Sequence, residues 1–230
     1  MKTIGLIGGM SWESTIPYYR IINETIGKEM GGLHSARIIL YSVEFSELEA
    51  YMSEGKWENI AEVLTDAAIK LEGAGADVIL ICTNTMHKLF PKISEKVKIP
   101  MIHIADATAD ELEEKGIRKT ALLGTKYTMR GDFYRSRLTE RGFEVLIPEE
   151  EDIELINSVI FDELCKGIVS NSSRQAYAKV IEKLKDQGAE GVILGCTEIG
   201  MLISQEDSVI PVFDTTVIHA KSAAKYVLRD

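Results

Sequence analysis

The chain has 230 residues, enough to bury a sizeable core in one large domain or two small ones. Its apolar fraction of 45% and charged fraction of 27% are ordinary for a globular protein, and 26 basic against 36 acidic residues leave a net charge of −10. That balance, with no local Lys/Arg cluster, argues against a nucleic-acid partner, and no apolar run approaches the roughly 18 residues of a membrane span.

The first residues, KTIGLIGG, read as a strand and not as a signal peptide. Three cysteines, Cys82, Cys165 and Cys196, cannot all pair, so reduced thiols in a cytoplasm are expected. In chain order, Thr3 to Ile7 is a strand, Gly8 to Ser11 a turn, and Ser14 to Met30 a helix with Ile16, Tyr19, Ile22 and Ile26 on its apolar face. A strand at Ala36 to Ser42 leads into a loop with a short helix over Glu44 to Trp57. An amphipathic helix follows from Ile60 to Leu71, with Ala61, Leu64, Ala68 and Leu71 on one face. The unbroken apolar run Val78 to Ile81 predicts a parallel strand buried on both faces, ending in the polar run Thr83-Asn84-Thr85. A helix around Met86 to Val97 and a strand from Met101 to Ile104 complete a repeated βα alternation, which predicts an α/β fold with parallel sheets.

The second half echoes the first. Lys2 to Gly8 is matched by Lys119 to Gly124, Gly75-Ala76-Asp77 by Gly188-Ala189-Glu190, and Ile99-Pro100 by Ile210-Pro211. Three pairs in the same order favour two similar α/β lobes, residues 1–104 with about 213–230, and residues 105–212. No linker rich in Gly, Pro or Ser separates them.

The Gly5-x-x-Gly8-Gly9 turn lacks the G-x-G-x-x-G spacing of a dinucleotide site, and Met10-Ser11-Trp12 would crowd a pyrophosphate. A small anion held by backbone N–H groups at a helix start suits it better. Cys165 reads as packing in a helix. Cys196 has a glycine before it, Thr197-Glu198 after it and an expected helix N-terminus beside it, a setting that lowers a thiol pKa. The four histidines are scattered without metal-ligand spacing, so no metal is expected. No Lys sits in a pattern that suggests a pyridoxal Schiff base.

Four stretches, GLIGGMSWEST at Gly5 to Thr15, CTNTMH at Cys82 to His87, LLGTKYTM at Leu122 to Met129 and LGCTEIG at Leu194 to Gly200, carry a resemblance over essentially the whole chain. The chain resembles the cofactor-independent aspartate/glutamate racemase superfamily, in particular its aspartate racemase branch. The resemblance implies two Rossmann-like lobes related by a pseudo-twofold, commonly dimeric, with the active site in the cleft between them. It also implies a racemisation with one cysteine from each lobe on opposite faces of an amino-acid Cα, needing no cofactor. Met10, Met52, Asn84, Thr85, Thr125, Lys166, Thr197 and Glu198 are the substrate-binding candidates it brings.

One position departs from that pattern. The family usually has Cys immediately before Asn-Thr, and this chain has Thr83 there, with Cys82 one residue earlier. Counted from the shared glycines, Thr83 matches Cys196 (83 − 75 = 196 − 188 = 8), whereas matching Cys-Thr to Cys-Thr pairs Cys82 with Cys196. A one-residue slip turns a strand side chain to the other face. The count favours Thr83 as the first catalytic residue, with Cys82 as the alternative. A single-cysteine decarboxylase of the same superfamily and a non-catalytic dicarboxylate binder are the other readings of a chain with only Cys196 secure.

Overall fold

The computed structural model describes residues 1–229, which divide into two compact units: Met1–His103 with the chain from His219 onward, and Ile104–Ile218. In the first unit, β1 (Thr3–Gly8), β2 (Arg37–Ser42) and β3 (Val78–Ile81) form a parallel sheet in the order β2-β1-β3. Helices α1 (Trp12–Met30), α2 (Phe45–Ser53), α3 (Trp57–Gly73) and the short α4 (Phe90–Ser94) connect and follow the strands. The second unit opens with α5 (Ile104–Glu114), then β4 (Lys119–Gly124), α6 (Lys126–Arg130), α7 (Asp132–Glu140), β5 (Glu144–Leu146) and α8 (Glu150–Asp162). It continues with α9 (Asn171–Asp186), β6 (Gly191–Gly195), β7 (Val212–Asp214) and α10 (Thr215–Leu228), whose later turns belong to the first unit. Its sheet is parallel throughout, in the order β5-β4-β6-β7. The expected α/β class with parallel sheets is therefore what the chain adopts.

The alternation of strand side chains sorts the second unit's core into two layers. Ala121, Leu123, Val192 and Leu194 point into one cluster with Tyr177, Ile181 and Ile199, and Cys196 is a member of it. Leu122, Ile193 and Phe213 point into the other, with Tyr134 and Leu138. β3 has the same two-sided character, all four of its residues being fully buried. Each such side chain contributes roughly 1.5–3 kcal/mol on burial.

The internal echo is structural. Asp77 donates its amide to the Thr3 carbonyl at 2.8 Å and accepts from the Thr3 amide at 2.6 Å. Glu190 donates to the Lys119 carbonyl at 2.8 Å and accepts from the Lys119 and Arg118 amides at 2.9 and 2.7 Å. The two Ile-Pro pairs also match, since Pro100 accepts from the Ile79 amide and Pro211 from that of Val192.

Several local expectations shift. The short helix expected within Glu44 to Trp57 is α2, which lies wholly inside that stretch, whereas α3 starts at Trp57, one turn earlier than its apolar pattern. The helix expected over Met86 to Val97 is a 3-10 turn at Thr85–Leu89 followed by α4, because Pro91 has no amide to carry a longer helix back through the turn. The strand expected at Met101 to Ile104 is a single bridge from Met101 to Ile79, and Ile104 already begins α5. On α1 the buried face is Ser14, Thr15, Tyr18, Ile21, Ile22 and Ile26, while Ile16 and Tyr19 are 56% and 60% exposed. Counting apolar residues missed Ser14 and Thr15, which bury because both hydroxyls donate to the Ser11 carbonyl.

Candidate active site

Both sets of candidate residues stand at the carboxyl ends of parallel strands, where open α/β sheets present their ligand-binding groups. In the first unit, the amide of Cys82 donates to the Ile7 carbonyl at 2.9 Å and so extends the β1–β3 ladder by one residue. Cys82 is fully buried, and that burial pushes its thiol far above the ordinary range. Thr83, the next residue, is 9% exposed. Its carbonyl accepts a 2.8 Å hydrogen bond from Nδ1 of His87, so the His87 proton sits on Nδ1. His87 is buried, stacked on Phe90 at 5.8 Å and met edge-on by His103 at 4.5 Å. Asn84 and Thr85 are buried beside Thr83, and the His87 amide closes the turn on the Asn84 carbonyl.

The glycine turn after β1 is shaped by close approach. Gly9 has φ +89°, and a Cβ there would lie 2.4 Å from the Val43 carbonyl oxygen. Its amide is taken by Thr15 Oγ1 at 2.9 Å, so this N–H of the expected anion cradle serves the fold. Met10 is buried just beyond, and Met52 is buried in the last turn of α2.

In the second unit, Gly124 and Gly195 are paired across β4 and β6, and Thr125 and Cys196 are the residues that leave those strands. A Cβ at Gly195 would lie 2.8 Å from the Leu123 carbonyl oxygen, so the residue before Cys196 has to be glycine. Thr125 caps α6 by accepting from the Thr128 amide. Cys196 is 8% exposed and Glu198 is 3% exposed. The Cys196 thiol donates to Glu198 Oε2 at 3.0 Å, and Thr197 Oγ1 donates to the same oxygen at 2.8 Å.

This corrects the expected electrostatics of Cys196. Burial, followed by the adjacent Glu198 carboxylate, holds its thiol well above the usual range instead of lowering it. After β6 the chain enters the three-residue 3-10 turn Ile199–Met201, which supplies no helix dipole of consequence. Nothing in the sequence signalled the Glu198 contact, which depends on the chain taking a 3-10 turn after β6 where a helix was expected.

Lys166 lies in the 3-10 turn Leu164–Lys166 after α8, where its side chain is 60% exposed and pairs with Asp162 at 3.8 Å. Like Met52 it is not on a strand end. Cys165 is half-buried against the core layer that holds Cys196. Among the described residues no group of three or more His, Cys, Asp or Glu side chains is arranged to hold a metal ion, and no helix is long and apolar enough to cross a membrane.

A sequence model of known proteins matches residues 7–223, and its description is Asp/Glu/hydantoin racemase. The chain belongs to the Asp/Glu/hydantoin racemase family. Within it, the chain is 24% identical to the broad-specificity amino-acid racemase RacX of Bacillus subtilis (strain 168), over 98% of both chains. Among solved structures it is similar to a candidate Asp/Glu racemase from Yersinia pestis, with 55% identity, complete coverage of both chains and a TM-score of 0.93. An aspartate racemase homologue from Pyrococcus horikoshii OT3 matches over the whole of both chains at 38% identity and a TM-score of 0.86.

Proposed function

We propose that this family member is an amino-acid racemase acting on a small acidic substrate, aspartate or glutamate, by 1,1-proton transfer at Cα without pyridoxal phosphate, metal or nucleotide. Cys196, as the thiolate, takes the Cα proton. Thr83, alone or through a bound water, returns one to the same carbon. The observation that supports this pairing is the common register of Thr83 and Cys196, each leaving a buried parallel strand at the same distance from its carboxylate anchor, Asp77 or Glu190. Main-chain N–H groups with Asn84, Thr85 and Thr197 would hold the α-carboxylate and stabilise the charge that develops as the proton leaves. Met10, Met52 and Thr125 complete the set of substrate contacts, and Lys166 meets the side-chain carboxylate.

A threonine hydroxyl is a poor base near neutral pH, so the two directions are expected to differ in rate, with the enantiomer whose proton faces Cys196 reacting faster. Family membership also supports a cytoplasmic homodimer, which sedimentation velocity would detect as a species of twice the 25.6 kDa chain mass.

Incubation with L- or D-aspartate and L- or D-glutamate in D₂O, followed by proton NMR, tests the function. Deuterium should enter at Cα, faster from one enantiomer. No exchange with a panel of amino acids, together with carbon dioxide release from substituted malonates, would replace racemisation by decarboxylation.

A further inference from the structure

The proposed racemisation needs Cys196 as a base, yet its surroundings favour the thiol. Sulfur and carboxylate are close enough to settle this between themselves. The Cys196 Sγ–H points at Glu198 Oε2 at 3.0 Å, both groups are more than nine-tenths buried, and Thr197 Oγ1 fixes the same oxygen at 2.8 Å. The turn that carries them is held by packing and backbone hydrogen bonds. Ile199 is fully buried, its amide bonds the Cys196 carbonyl, and the Met201 amide bonds the Glu198 carbonyl. Gly200 faces Asp214 so closely that a Cβ there would lie 2.3 Å from its carboxylate oxygen.

We propose that Glu198 is the proton acceptor of Cys196, a catalytic residue that makes the thiolate in place and holds its proton during turnover. This rests on the racemase reading. In the step, the Sγ–H bond breaks and the proton passes to Glu198 Oε2, leaving Cys196 S⁻ beside Glu198 COOH. The thiolate then removes the Cα proton and becomes a thiol again, while the electron pair of the C–H bond stays on the substrate. A proton from the Thr83 side closes the new Cα–H bond. Exchange with water afterwards removes the proton on Glu198 and restores the one given up on the Thr83 side. Before the Cα proton is taken, one negative charge is shared by the thiol and the carboxyl, so the pair titrates as a unit. That charge passes to the substrate with the C–H electron pair and returns to the pair when Glu198 releases its proton.

The other ionisable groups near the thiol are Cys165, from the 3-10 turn after α8, and Tyr177, from α9, whose hydroxyl is engaged by the Ile156 carbonyl at 3.0 Å. Neither is a cation that could stabilise a thiolate. Glu198 is the carboxylate in hydrogen-bonding contact with it.

Glu198→Gln keeps the shape and an oxygen for Thr197 but cannot accept a proton. Two measurements on the full chain should then both fall. The pH midpoint of Cys196 alkylation by iodoacetamide, followed on its own peptide by mass spectrometry, should fall by at least about one unit, because the neighbouring negative charge is gone. At the same time kcat for Cα exchange should fall by about 10²- to 10⁴-fold with little change in KM, as for loss of a general base. Glu198→Asp keeps the charge and should hold the alkylation midpoint near that of the parent protein, with a smaller loss of kcat. It provides the comparison should the glutamine variant fold poorly.

A rise in KM with an unmoved alkylation midpoint would overturn the proposal and leave Glu198 as a substrate contact. Alkylation needs no substrate. A shifted midpoint in a protein that exchanges no amino acid would therefore uphold the thiol–carboxylate pair while removing the racemase reading.

Discussion

Thr83 and Cys196 occupy the same place in their two sheets. Asp77 and Glu190 each lock the start of their strand to its neighbour with a backbone amide and a side-chain carboxylate, in two and three hydrogen bonds respectively, and the two candidates follow them at equal distance (83 − 77 = 196 − 190 = 6). The ladders agree, since Ile81 pairs with Ile7 where Leu194 pairs with Leu123. By the same count Cys82 matches Gly195, a position packed so closely that the second unit tolerates only a glycine there.

That register separates three variants. Cys196→Ala should abolish Cα exchange from both enantiomers, because the ready base is gone. Cys82→Ala should keep full activity and cost about 1 kcal/mol of stability, a fall in Tm of roughly 2–4 °C, as for a small buried group removed from a close-packed site. Thr83→Cys should raise the rate from the slower enantiomer and add a pH dependence from the new thiol. An inactive Cys82→Ala beside a fully active Thr83→Ala would place the first catalytic group at the cysteine.

The parallel sheets and the register were legible in the sequence because buried strands and carboxylate-led strand starts are local features. Val78 to Ile81 is apolar without a break, and the Gly-Ala-Asp and Gly-Ala-Glu triplets mark matching starts. The setting of Cys196 was not legible in the same way. Whether a following segment is a helix that stabilises a thiolate or a 3-10 turn that brings a carboxylate against it depends on where Glu198 folds, and the Thr197 and Cys196 contacts decide that. The buried face of α1 was missed for a related reason, since hydroxyls satisfied by the Ser11 carbonyl can enter a core that a count of apolar residues assigns to Ile16 and Tyr19. The tie from His87 Nδ1 to the Thr83 carbonyl links residues four apart through a turn whose 3-10 geometry follows from Pro91.

His219 makes stability depend on pH. It is fully buried, its Nε2–H donates to the Ile102 carbonyl at 2.9 Å, and its Nδ1 therefore accepts from the Tyr18 hydroxyl at 2.9 Å. Burial lowers its pKa from 6.5 to about 4, the Ile102 contact opposing only in part. Above pH 6.5 neither the folded nor the unfolded chain is charged at this ring, so it has no effect there. As pH falls from 6.5 to 4 the unfolded chain takes up a proton that the folded chain refuses, and about 3 kcal/mol of stability is lost by pH 4. His219→Gln should be less stable than the parent at pH 8 but flatter between pH 6.5 and 4 in urea denaturation. Parallel slopes for the two proteins across that window would contradict the assignment.

Lys166 tests the substrate assignment because its structural contribution is small. Its side chain is 60% exposed, and its ion pair with Asp162, 72% exposed, spans 3.8 Å one helical turn apart. Pairs of that kind contribute a few tenths of a kcal/mol at most, so Lys166→Ala should leave Tm within about 2 °C of the parent. Any kinetic effect then reports on the substrate and not on folding. If the ammonium meets a side-chain carboxylate, KM for aspartate and glutamate should rise about tenfold, the order expected for one partly exposed charge-assisted contact. KM for an amino acid with a neutral side chain should stay where it was, and that difference separates charge recognition from a general loosening of the site. Unchanged rates on both acidic substrates would remove Lys166 from the site and leave acidic-substrate preference without a cation to explain it.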